Sequence, residues 1–134
     1  MDLSFTKEEM EFRDEVRAYL ADNLPERISD AVRRGGELIK EMMEEWHAIL
    51  QRKGWLATIW PKEYGGQEIE GVYEYILNEA LSKHAAPQIG KGVGIIGKTL
   101  IAHGSDKLKA EFLQHYYDAR GTPFRVRLGV KYMF

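Results

Sequence analysis

The stretch IKEMMEEWHAILQRKG, residues 39–54, decides the fold. Ile39, Met42, Met43, Trp46, Ile49 and Leu50 fall at offsets 0, 3, 4, 7, 10 and 11, an unbroken apolar stripe on one side of an α-helix. Glu41, Glu44 and Glu45 take the opposite side, and Gly54 supplies a residue that turns the chain at the helix end. The spacing predicts a core-facing helix that must find apolar partners elsewhere in the chain.

Helical signals lie on both sides of it. Thr6 followed by Lys7, Glu8 and Glu9 reads as a capping box, so a first helix should begin near residue 7 and stop before Pro25. Its inner face is Phe12, Val16, Tyr19 and Leu20. Residues 26–36 are polar and end in Gly35-Gly36, which predicts a connector with one weak helical turn. Residues 55–66 carry Trp55, Trp60, Pro61 and Gly65-Gly66, which predicts an ordered loop with its rings packed inward. A helix over about residues 69–84 follows, apolar over a wide angle through Val72, Tyr75, Ile76, Leu77, Ala80 and Leu81. Ser105 or Asp106 caps a last helix whose predicted face is Leu108, Phe112, Leu113 and Tyr116.

Two segments break the helical pattern. Between Ala85 and Gly104, glycines at 90, 92, 94, 97 and 104 alternate with Val93, Ile95, Ile96, Leu100 and Ile101. Each glycine costs about 1 kcal/mol inside a helix, so close approach of a backbone or ligand is expected there. From Phe124 onward, Phe124, Val126, Leu128, Val130, Tyr132 and Phe134 fall on even positions, the period of a strand. Such a strand has no ladder partner in an otherwise helical chain. It is expected either to pair with a second copy or to form a disordered tail. The charge also turns: residues 1–113 hold 15 Lys+Arg against 20 Asp+Glu, whereas residues 114–134 hold 4 against 1. The fold class is thus all-α, an up-and-down bundle of five to six helices with a strand-like or disordered tail.

Composition excludes several functions. There is no cysteine, so neither a disulfide framework nor a thiolate metal site exists, and the four histidines at 47, 84, 103 and 115 lack ligand spacing. No metal is expected. A net charge of −2 gives no nucleic-acid footprint. No run approaches the ~20 apolar residues that span a bilayer, and no signal peptide precedes the first helix, so a cytoplasmic protein away from membranes is expected. The glutamate-rich helix faces read as solvated surface rather than acid–base pairs, and His47 and His103 as structural. Trp55, Trp60 and Tyr64 read as a packed loop rather than a stacking platform. The run GKGVGIIG at 90–97 has no strand before it and so is not a nucleotide fingerprint.

Four segments resemble the N-terminal region of acyl-CoA dehydrogenases: FTKEEMEFRDEVRAYLADNLP (5–25), GWLATIWPKEYGG (54–66), YILNEALSKHAAP (75–87) and TLIAHGSDKLKAEFL (99–113). Their order and separation carry the resemblance, with Pro61, Tyr64, Gly65 and Gly66 as its Pro-x-x-Tyr-Gly-Gly element. It implies a helical domain, residues 1–113, of an FAD-dependent enzyme of fatty acid metabolism that dehydrogenates acyl-CoA thioesters at the α,β position. The flavin would lie between a β-domain and a C-terminal bundle, and the catalytic base would come from the C-terminal half. On this reading the chain is truncated, inactive alone and binds no FAD, with no catalytic residue of its own. Its glycine-rich helix, through Val93, Gly94, Ile96, Gly97 and Leu100, would line one wall of the acyl pocket.

Residues 114–134 depart from the family pattern, lacking the flavin-contacting Glu-Pro and Gly-Ser-Asp elements, and are expected to be a divergent tail produced by a frameshift or truncation. The competing expectation is a non-catalytic helical interaction module that self-associates or docks on a dehydrogenase partner. Both expectations predict a homo-oligomer formed through apolar surface left uncovered.

Overall fold

The computed structural model describes residues 3–36, 38–89 and 92–117, with no account of the side chains of 92, 93 and 114–117. The expected C-terminal strand lies outside the described residues. Within them the chain is helical throughout: α1 (Lys7–Asn23), α2 (Glu26–Arg33), α3 (Lys40–Lys53), α4 (Gly71–Lys83), α5 (Lys98–His103) and α6 (Asp106–Tyr117). A single 3-10 turn, Lys62–Tyr64, and a π-turn, Gly92–Gly97, complete the elements. The described residues divide into two compact units: the first combines those up to 38 with 69–88, the second residues 39–68 with those from 89 to 117.

The first unit holds α1, α2 and α4. α1 starts as its sequence requires: the Thr6 Oγ1 accepts from the Glu9 N–H at 3.2 Å, and the Glu9 carboxylate accepts from the Thr6 N–H at 2.8 Å. Val16 and Leu20 are buried, and α1 packs on α4, which buries Ile76, Leu77, Ala80 and Leu81. The Phe12 ring meets that of Tyr73 edge to face, centroids 5.1 Å apart. Tyr75 is 59 % exposed, correcting its place on the buried face: a stripe that wide exceeds what one packing neighbour covers.

The connector expected at 26–36 is a two-turn helix. Pro25 precedes it, Glu26 sits in its first turn and Arg33 in its last, and Ile28 and Ser29 are buried. The Ser29 hydroxyl donates to the His84 carbonyl at 3.3 Å, which satisfies the buried group and ties α2 to the end of α4. Tertiary burial of one apolar residue, rather than propensity, makes this segment helical.

Four element ends in the chain close in one way. At Gly35, Gly54, Gly65 and Ala85 the backbone turns left-handed; that residue's N–H returns to the carbonyl three back, and the following N–H to the carbonyl five back. Three of the four are glycines, which adopt this conformation without steric cost. Ala85, at φ 52°, is the exception, and it ends α4 with the bonds Ala85 N to Ser82 O and Ala86 N to Leu81 O.

The second unit holds α3, the loop 55–68, the π-turn, α5 and α6. Trp46, Ile49 and Leu50 of α3 are buried as its stripe predicts, but Ile39 stands just before the helix at 55 % exposure. On α6, Phe112 and Leu113 are buried and Leu108 is 38 % exposed, so the predicted face is narrower. Ser105 is the cap of α6, accepting from the Leu108 N–H at 3.2 Å.

An alanine held left-handed costs about 1–2 kcal/mol, part of which glycine returns as unfolded-state entropy. Ala85→Gly is therefore expected to stabilise the chain by about 0.5–1 kcal/mol in urea denaturation, whereas Gly54→Ala should destabilise it.

Candidate functional site

The glycine-rich segment is built upon the loop 55–68. Trp55, Leu56, Ala57, Thr58 and Trp60 are all buried, so this loop is part of the core although it carries only a 3-10 turn. Its backbone is closely bonded. The Trp60 N–H donates to the Ala57 carbonyl (3.1 Å), the Trp60 carbonyl accepts from Glu68 (3.1 Å), and the Gln67 N–H donates to the Thr58 carbonyl (3.2 Å). Glu68, itself at φ 52°, also accepts from the Lys62 N–H through its carboxylate at 3.0 Å. Gly66 lies directly against the Trp60 carbonyl, where any side chain would collide with backbone.

Trp60 is thereby fixed, 1 % exposed, and its six-membered ring reaches the π-turn. A β-carbon placed on Gly97 would lie 2.8 Å from Cη2 and 3.1 Å from Cε2 of Trp60, and closer still to Cζ2. Gly97 is glycine because an indole occupies the place of its side chain. Gly94 differs: among the described residues nothing stands within 4 Å of where its β-carbon would be. One glycine is covered from within and the other opens outward.

Of the expected wall, Gly97 and Leu100 are buried, Gly94 and Ile96 are half-buried, and Ile95 between them is 59 % exposed. Val93 lies in the π-turn, with its side chain outside the description. These residues share one continuous helical segment, where π-turn passes into α5. A π-turn is rare and energetically poorer than an α-turn, and such turns recur at functional sites. The sequence signal for Trp60 behind Gly97 was present only as two unrelated oddities, an aromatic loop and a glycine run.

A second feature went unread. Glu63, Tyr64 and Gly65 face Asp106, Lys109, Ala110 and Leu113 across an open cleft of 330 Å³. The Lys109 ammonium sits over the Tyr64 ring, 5.8 Å from its centroid. The lining is mixed in charge and carries no nucleophile–base pair. Trp55, with the Lys53 ammonium 5.3 Å from its ring centroid, is buried and offers no open stacking face.

Titratable groups add little chemistry. Burial brings His47 down to about 4, so it is neutral at pH 7. The Lys83 ammonium, 2.7 Å from the half-buried Glu79 carboxylate, donates to it and holds that carboxyl below its ordinary value. Among the described residues, no three His, Asp or Glu side chains are placed to hold a metal. No helix among them is long and apolar enough to cross a membrane.

Residues 6–119 match the model of the acyl-CoA dehydrogenase N-terminal domain. The chain belongs to the acyl-CoA dehydrogenase family. Acyl-CoA dehydrogenase FadE26 of Mycobacterium tuberculosis is 34% identical over 115 residues, which is 84% of this chain and 29% of that protein. Acyl-CoA dehydrogenase IpdE1 of the same organism is 32% identical over 114 residues, 81% of this chain and 30% of its own length. In structure, the chain is similar to the ChsE4–ChsE5 complex from M. tuberculosis (TM-score 0.74, 29% identity, 89% of this chain and 30% of that one). It is also similar to the Tcur3481–Tcur3483 steroid ACAD (TM-score 0.76, 33% identity, 89% and 31%). The chain thus spans about 30% of the length of the relatives it matches.

The family is FAD-dependent, but the described residues do not fit a flavin. The glycine run is a helical π-turn rather than a strand-to-helix loop with free amides, and the one buried side-chain donor without a partner among the described residues, the Trp60 indole N–H, lies outside that run.

Gly97→Ala drives a methyl into the Trp60 ring and should cost about 1–3 kcal/mol in thermal denaturation, while Gly94→Ala should be neutral or stabilising by up to about 1 kcal/mol. His47 supplies a second test. Between pH 6.5 and about 4 the unfolded chain takes up a proton that the folded one excludes. Its contribution to stability is full above pH 6.5 and falls as the pH drops towards 4; His47→Gln should flatten that part of the melting-temperature profile.

Proposed function

We propose that this chain is the acyl-pocket domain of a dehydrogenase that introduces an α,β double bond into acyl-CoA thioesters. Val93, Gly94, Ile96, Gly97 and Leu100 form one wall of the acyl-chain site. The observation that carries this is the contrast along the π-turn: Gly97 is filled by Trp60, but Gly94 presents bare backbone to open space. A glycine where a side chain would fit freely leaves room for something external to approach the backbone. Small and apolar residues then meet a hydrocarbon ligand at close range. The relatives include steroid ACADs, so a bulky polycyclic acyl group suits this wall.

FAD and the carboxylate that removes the α-proton come from elsewhere in the assembled enzyme, and this chain alone is inactive. Its own part is to shape the pocket and exclude water. The acidic segment 1–113 supplies most of that domain, which α6 carries on to Tyr117, and the rest of the basic segment 114–134 is a separate tail.

A second reading is an interaction module without a pocket of its own. It is favoured by exposed apolar side chains on each unit: Leu3, Met10 and Tyr75 in the first, Ile39, Ile95 and Leu108 in the second. On this reading the chain forms homo-oligomers or sits on a dehydrogenase subunit, in keeping with the complexes formed by its structural relatives.

The two readings separate on one experiment. The chain is added to a family enzyme from which the matching N-terminal domain has been removed, and acyl-CoA dehydrogenation is followed. Restored activity, with KM raised at least tenfold when the chain carries Gly94→Trp, is the expected result. Association without activity, or an unchanged KM with Gly94→Trp, would leave only the interaction module.

A further inference from the structure

We draw no further inference here: the strongest candidate, the open cleft between the Lys62–Tyr64 turn and α6 with Lys109 over the Tyr64 ring, carries nothing, because its lining is mixed in charge and nothing in the structure shows what covers it.

Discussion

The fit of Trp60 beneath Gly97 is the constraint on which the second unit depends. A tryptophan buried to 1 % in a loop requires that loop to be as ordered as a helix, and the backbone bonds across residues 57–68 make it so. The ring in turn dictates the sequence above it, since only glycine fits at 97. It also brings the loop and the start of α5 into one compact body. Loop, indole and π-turn form a continuous chain of causes, from Gly66 at its base to the open backbone of Gly94 at its end.

Much of this was readable from the sequence where local chemistry decides. The Thr6–Glu9 capping box, the α3 stripe from Trp46 to Leu50 and the glycine stop at 54 each depend on a few neighbouring residues, and each appears where expected. Ala85 shows the limit. It closes α4 by the same pair of hydrogen bonds as the three glycines, but an alanine gives no sign of a left-handed turn. α2 failed for the converse reason, because its polar sequence becomes helical through burial of Ile28 and through Ser29 reaching the His84 carbonyl, 55 residues away. Tyr75, Ile39 and Leu108 are exposed because the width of an apolar stripe says nothing about how many neighbours it has.

The candidate wall was read as glycines in want of an explanation, and two physically different explanations turned out to apply. Gly97 is structural, excluded from any other identity by an indole; Gly94 is unconstrained from within. Sequence alone gives both the same symbol. The cleft between Tyr64 and Lys109 was invisible for a related reason, as its two sides lie far apart in the chain and nothing in the sequence pairs them. Membership of the acyl-CoA dehydrogenase family then gives the glycine segment a context: it lies in the family's N-terminal domain, in a chain that spans about 30% of the length of its relatives.

Amide hydrogen exchange on the full chain tests the central claim most directly, that the loop is core and Trp60 its anchor. The N–H groups of Trp60, Gly66, Gln67 and Glu68 should be protected together, exchanging in one cooperative opening with a free energy close to that of the buried turns of α3. Exchange of these four at the rate of an unstructured peptide, with α3 still protected, would contradict the account.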